Sequence, residues 1–508
     1  MVVRLLLENI TLLAFWLLVV VLAVNAAFLL FILYRRLARA RYYKRKDLAR
    51  AQFAGSVKEF VDGSLRLEDA AVRFQQARSR PAKDAVRDLL LLTISERTNA
   101  EAVSELLFAL GYVERWARIA FGRRRARRII RASRLSQSAG RAIRLRRSAL
   151  RPIRRRKLLS VQRAVAVYYL SRLAPARARV FLEQALVDPA QDVRLAAVLG
   201  LRGDPAGIPL LLEELRSSVE EHNDVSLRAI RSALVWCDMG SLQQFVPGLT
   251  HRNARFRFLV LDAVYQICRR VSKERPLTSS DFPAQVRHIL QHEAAQDSSP
   301  DVRARCAAVI AYFHDANGIA ALRQFMRDEN EFVRLHAVRG SAHPAYQELF
   351  PEISARLTDP RWRVREAASQ TLLTFGQPGV DSLLRLFVEV PDQYAAEQIA
   401  EEMQRSGVLN TLLAELNSGT SIATCRAVCA RLVSLNKTSI LADAVASSEL
   451  APAHRLWLMD ALSTRPNRYF LEVLRGLAAT QDEIGARALA LVQRLAPALT
   501  ASFEARHA

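Results

Sequence analysis

The sequence predicts an all-α protein in which one apolar N-terminal helix precedes a long array of helical hairpins. Three observations predict it. The 508 residues include only 18 Gly and 18 Pro, with few aromatics against abundant Ala, Leu and Arg, a composition of helix formers with little strand-like alternation. The stretch from Ile10 to Tyr34 is uncharged, and a Val-Arg pair recurs at intervals of about 31 residues further along. A chain of this length exceeds one ordinary core, and a repeat array meets the difficulty by packing each unit only on its neighbours.

The apolar stretch reads ITLLAFWLLVVVLAVNAAFLLFILY, interrupted only by Thr11 and Asn25. It is long enough to cross the roughly 30 Å hydrocarbon layer of a bilayer with some tilt. A cleaved signal peptide is the competing reading, with Val24-Asn25-Ala26 as its small-residue site. The stretch exceeds the usual apolar core of such a peptide, roughly 7–15 residues. It is also followed by Arg35, Arg36, Arg39, Arg41, Lys44, Arg45 and Lys46, a cluster that resists translocation. The other flank carries only Arg4 against Glu8. The expected topology is therefore single-pass in an inner (cytoplasmic) membrane, with residues 1–9 outside, 10–34 spanning and the remainder cytoplasmic. Trp16, Tyr34, Tyr42 and Tyr43 stand where interfacial aromatics sit.

The net charge of +24 is concentrated, since no Asp or Glu occurs between Glu114 and Glu183. A basic flank and helical region over 35–122 thus leads into a polybasic segment, 123–157. Its candidate contacts are Arg123, Arg124, Arg125, Arg127, Arg128, Arg154, Arg155, Arg156 and Lys157. Such a block implies a polyanionic neighbour, and isoleucines and leucines between the arginines suggest amphipathic helices lying on an anionic membrane surface. An acidic protein is the second reading. Nucleic acid is disfavoured, because no base-reading or base-stacking motif is visible. Between about 54 and 118, helical periodicity without the Val-Arg motif leaves degenerate repeats and a small helical domain both open.

The array is expected over 158–508. Aligned on Val-Arg, its clearest units are Asp192-Val193-Arg194, Asp301-Val302-Arg303, Phe332-Val333-Arg334 and Arg363-Val364-Arg365. Weaker copies fall at Val161-Gln162, Asp224-Val225-Ser226 and Phe256-Arg257. Apolar residues follow at helical spacing, and Gly207, Gly318 and Gly379 introduce second helices reading IPLLLEEL, IAALRQFM and VDSLLRLF. An Asp stands six residues before four of the arginines: Asp188 with Arg194, Asp297 with Arg303, Asp328 with Arg334 and Asp359 with Arg365. The pattern resembles the HEAT repeat family, closely its short PBS-lyase-like form whose units read D-P-x-x-x-V-R-x-x-A; Asp188-Pro189 and Asp359-Pro360 keep its opening. The resemblance implies an α-solenoid and a ladder of Asp and Arg hydrogen bonds between successive units, making these eight residues scaffold. Between Arg257 and Arg303 about 15 extra residues near Lys273 to Gln285 are expected to leave the solenoid as a loop.

Chemistry is weighed against this scaffold. HEAT-like deoxyhypusine hydroxylases hold two irons on repeated His-Glu pairs, whereas His292-Glu293 is the sole such pair here. His288 and His292 share a helix face with Glu293 but lack a recognisable third ligand. Cys425 and Cys429, one helical turn apart, suit a helix core better than a metal site. The scattered cysteines make no disulfide framework. No metal, cofactor or catalytic residue is therefore expected. Trp362, at a helix start, is a candidate interface residue, with a hydrophobic staple as its alternative. The function expected is a membrane-anchored cytoplasmic scaffold that binds protein partners, possible settings including a cell-envelope assembly. A HEAT-repeat lyase or hydroxylase and a membrane-tethered nucleic-acid binder are the alternatives.

Overall fold

The first 61 residues contain no proline and only one glycine, Gly55, so nothing interrupts helix propagation from the apolar stretch into the basic one. The result is a single 60-residue helix, α1 (Val2–Val61), that stops at Gly63, whose φ of 80° lies in the left-handed region glycine tolerates. The computed structural model describes residues 2–95, 99–139, 160–220, 226–419 and 422–507, and among them no strand occurs. The part of α1 from Trp16 onward is long and apolar enough to cross a membrane. Residues 16–41 are exposed along its whole circumference, whereas Ala49, Phe53, Val57 and Phe60 are buried against the helices that follow. One helix thus carries both a solvent-averse face open all round and the first packing face of the fold.

The helices cluster into two compact units, residues 1–233 and 234–508, a boundary inside the stretch 158–508 expected as one array. In the first unit α2 (Leu67–Gln75), α3 (Arg80–Ser95), α4 (Ala100–Ala109), α5 (Tyr112–Phe121) and α6 (Arg123–Ala139) follow α1. Then come α7 (Ser160–Leu170), α8 (Pro175–Leu186), α9 (Gln191–Gly200), α10 (Ile208–Glu220) and α11 (Leu227–Leu234). Leading helices stack on leading helices: α1 on α3, α5 on α7 and α7 on α9. Within the region 54–118, left open by its sequence, α3 packs on α1 and α5 on α7. Close approach is built into this stacking, since a side chain at Gly200 would bring its Cβ to 2.5 Å from Ser171 Cβ.

The second unit continues with α12 (Val246–Leu249), α13 (Ala254–Val271), α14 (Ala284–His288), α15 (Pro300–Ile310), α16 (Ala316–Phe325), α17 (Glu331–Gly340) and α18 (Phe350–Ala355). Next are α19 (Trp362–Leu373), α20 (Gln377–Glu389), α21 (Gln393–Arg405), α22 (Val408–Ser418), α23 (Ile422–Ser434) and α24 (Ser439–Ala446). The chain closes with α25 (Pro452–Leu462), α26 (Arg468–Leu477) and α27 (Glu483–His507). Here too α13 packs on α15, α15 on α17, α17 on α19 and α19 on α21. At Gly379 a Cβ would stand 1.8 Å from the Leu372 carbonyl oxygen, so only glycine lets the second helix begin so close to the first.

The extra residues before Arg303 do not leave the solenoid as a free loop. Part of them lengthens α13 to 18 residues. The rest forms a strap that folds back onto the turn between α15 and α16. Leu277 and Phe282 are buried, and the Phe282 ring meets Phe313 edge-on at 4.9 Å. The Ser279 amide donates to the Phe313 carbonyl at 3.0 Å, while the His314 ring nitrogen Nδ1 lies 2.9 Å from the Leu277 carbonyl oxygen. Burying two such side chains stabilises the strap by about 1.5–3 kcal/mol each, which explains why this polar-looking stretch is ordered. Lys273, Glu274, Arg275 and Pro276 at its tip remain exposed.

Candidate functional site

The arginines of several leading helices bond to two successive repeats. Arg303 places Nη1 2.9 Å from the carbonyl oxygen of Asp297, six residues earlier, and sends Nε and Nη2 to both oxygens of Asp328 at 2.8 and 2.9 Å. Arg334 repeats this with the Asp328 carbonyl and the Asp359 carboxylate. Arg194 caps the Asp188 carbonyl at 2.8 Å, and Arg365 caps that of Asp359 while its Nε donates to Gln398. A planar guanidinium supplies the fork for bidentate pairing and a further donor for the backbone, which an ammonium does not. The aspartates also cap their own loops, as when Asp328 accepts from the Asn330 amide. Burial alone would raise the Asp328 pKa, but the Arg303 and Asn330 hydrogen bonds outweigh it and hold the carboxyl below its ordinary range.

One participant escaped the sequence reading, and a second stood there only as a weak copy of the repeat. Arg163, one position beyond the Gln162 used for the alignment, pairs with Asp188 at 2.5 Å. Arg257 forks onto Asp297 at 2.7 and 2.8 Å across 40 residues, where Arg303 and Asp328 are only 25 apart, so the pairing survives the strap. The signal was available in Arg163, which stands 31 residues before Arg194.

The polybasic segment is divided. In α6 the apolar stripe Ala126, Ile129 and Ser133 is buried, with Ser133 Oγ donating to the Arg177 carbonyl at 3.3 Å. Helix α6 packs on α5 and α8. Arg123, Arg124, Arg127 and Arg128 point to solvent and Arg125 is half-buried. The face an interfacial helix would sink into lipid is therefore already used in packing, leaving charge alone for an outside contact. Arg154, Arg155, Arg156 and Lys157 lie outside the described residues.

Trp362 lies in the first turn of α19 with its indole 56% exposed and the Arg363 guanidinium 5.4 Å from the ring centre, so it does not turn inward as a staple would. Phe332 and Tyr394 occupy the first turns of α17 and α21 and are likewise exposed. Asp392 fixes Tyr394 by accepting from its amide at 2.9 Å. Between α19 and α21 opens a groove of about 390 Å³ with Trp362 and Tyr394 on its walls and Glu366, Glu397 and Glu401 among its lining. Gln398 crosses its floor, donating to the Trp362 carbonyl at 2.8 Å and accepting from Arg365. Four glutamates line the groove against Arg365 and Arg405; Arg405 approaches Glu366 at 3.4 Å and Lys437 reaches Glu401 at 2.8 Å, so a small excess of negative charge remains in a strongly basic chain.

His288 and His292 stand with ring centres 4.8 Å apart, and His288 Nδ1 is 4.0 Å from Glu293 on an exposed surface. Among the described residues no group of three or more His, Cys, Asp or Glu is placed to hold a metal ion. Cys425 and Cys429 are buried with their sulfurs 4.0 Å apart.

These helical hairpins, stacked leading helix on leading helix, define an all-α solenoid protein. Residues 289–343 match the family model of HEAT repeats. No characterised protein matches the chain by sequence. Among solved structures, yeast importin-β (Kap95p) is similar at 12% identity and a TM-score of 0.32, over 86% of this chain and 61% of its own. The chain thus spans under two thirds of that protein's length. An engineered protein is similar at 15% identity and a TM-score of 0.29, over 66% of this chain and 96% of its own. Human deoxyhypusine hydroxylase is similar at 16% identity and a TM-score of 0.21, over 49% of this chain and 91% of its own. All three scores lie below 0.5, and no functional conclusion follows from them.

Proposed function

We propose that this chain is a membrane-anchored scaffold whose HEAT-type repeats dock protein partners on the cytoplasmic face. The apolar part of α1 is the span, and the basic residues 35–46 hold the repeats inside. The observation that carries the docking role is the Trp362–Tyr394 groove, where exposed aromatic rings stand beside carboxylates. Rings of this kind attract cations over their faces, and aromatic residues carry much of the energy at protein interfaces. The occupant that fits is an extended Arg- and Lys-containing segment of another protein. The test is titration of the full chain, reconstituted in nanodiscs, with a basic peptide and an acidic one, read by isothermal titration calorimetry. The basic peptide should bind, and Trp362→Ala with Tyr394→Ala should weaken it by about 2 kcal/mol or more, some thirtyfold. Equal binding of the acidic peptide, or no loss in the double variant, would overturn the docking role. Failure of the chain to float with vesicles would separately overturn the anchor.

A further inference from the structure

A second groove, in the first unit, is opposite in charge and stands at the base of the apolar helix. It holds about 440 Å³ between α3, α5 and α7. One wall is a stack: Trp116 lies between Tyr112 at 5.7 Å and Tyr169 at 5.1 Å, and the Arg87 guanidinium covers Tyr169 at 4.9 Å. The stack is fixed at both ends. Tyr112 donates its hydroxyl to the Lys83 carbonyl at 2.7 Å, and Arg87 is held by Asp84 at 2.8 Å and Asp88 at 2.7 Å. These carboxylates are further occupied by α1, with Tyr42 donating to Asp84 and Lys46 pairing with Asp88, both at 2.5 Å. Arg78, Arg80, Lys83 and Arg115 also line the groove and have no ionic partner among the described residues. A pocket with its own acids neutralised and its rim cations unmatched is built for an anion.

The register between α1 and α3 says where that anion is. Tyr42 meets Asp84, Lys46 meets Asp88 and, at the far end, Asn99 donates to the Val61 carbonyl, so the two helices run in the same direction. Four residues before Asp84, Arg80 therefore stands level with residue 38 of α1, only four residues past Tyr34. At 1.5 Å per residue that is about 6 Å beyond the apolar stretch, within the headgroup layer that adds about 5–7 Å to each side of the hydrocarbon. By the same register Lys83 and Arg87 stand about 10 and 16 Å beyond it, so the Arg80 rim is the edge a headgroup reaches.

We infer that the groove formed by Arg80, Lys83, Arg87 and Arg115 against the Tyr112–Trp116–Tyr169 stack binds a phosphate-bearing anion, the source favoured by its level being the headgroup of an anionic phospholipid. This deepens the anchored reading and rests on α1 being a span. Guanidinium and ammonium groups on the rim match a phosphate better than a lone carboxylate, and the aromatic wall excludes water behind it.

Hydrogen exchange at residues 80–87 and 112–119 of the full chain tests the groove. The chain is compared in phosphatidylcholine nanodiscs, in the same nanodiscs with inorganic phosphate, in phosphatidylglycerol-containing nanodiscs, and with polyglutamate. The control is the exposed-rim variant Arg80→Glu, Lys83→Glu, Arg115→Glu. Exchange should slow by about tenfold with phosphatidylglycerol and return to its unliganded rate in the variant. Protection by inorganic phosphate alone, lost in the variant, supports the phosphate chemistry and assigns a soluble source. Protection by polyglutamate only, protection that survives the variant, or none in any arm overturns the site. Flotation of the chain with pure phosphatidylcholine vesicles reports on the span separately, and the inorganic phosphate arm tests the groove whether or not the span holds.

Discussion

Arg334 meets Asp359 with two parallel bonds, Nε to Oδ2 at 2.8 Å and Nη2 to Oδ1 at 2.9 Å, and the carboxylate it holds is fully buried. Removing one partner leaves the other charge buried without its counterpart, which costs about 3–5 kcal/mol. Asp359→Ala should therefore lower the urea midpoint strongly. Arg365→Ala should cost only about 1–2 kcal/mol, because its acceptor across the repeat is the neutral Gln398. Equal losses would show that the charged pair between Arg334 and Asp359 is worth no more than the neutral bonds of Arg365.

Acid should act on the pairing in a defined window. The native pKa of Asp328 is lowered, so the unfolded chain binds its proton first. The stability this group contributes is complete above the unfolded value, about 4, and is lost as pH falls through the native one. Unfolding followed between pH 5 and 2 should show that loss, and Asp328→Asn should flatten the corresponding part of the curve.

His336 should resist protonation. Burial, reinforced by Arg305 and Arg339, pushes its pKa down to about 4. A base whose native pKa is depressed favours the fold while neutral, so its contribution is full above about 6.5 and declines as pH falls towards the native value. Its ring resonances in an NMR titration should remain those of neutral imidazole at pH 5, and a midpoint above 6 would contradict the packing around it.

The strap should behave as core. Phe282→Ala empties a fully packed position and should cost about 3–5 kcal/mol, whereas Lys273→Ala at the exposed tip should stay within about 0.5 kcal/mol. Comparable small effects from both would mean that the strap is detachable.

What the sequence disclosed follows from how local each signal is. The apolar run and the Val-Arg recurrence are contiguous patterns, and they led to the all-α class and to hairpins that the HEAT repeats model matches over 289–343. The strap was misjudged because Pro, Ser and Thr dominate its composition, while its fate is decided by two residues, Leu277 and Phe282, and a partner more than 30 positions away, Phe313. The basic groove was invisible for the same reason. Arg80, Arg115 and Tyr169 belong to three helices and acquire a common purpose only when those helices stack. Similarly, the isoleucines among the arginines of α6 announced an amphipathic helix, but nothing local said that α8 rather than lipid would cover it.

Because α1 is unbroken between Tyr34 and Tyr42, the number of residues there sets the compass bearing of everything attached to it. Each residue added turns the following helices by about 100° around the α1 axis and shifts them by about 1.5 Å. Two residues would swing the first unit to nearly the opposite bearing about the apolar part of α1, and on the anchored reading proposed above a partner fixed in the same membrane would then face its back.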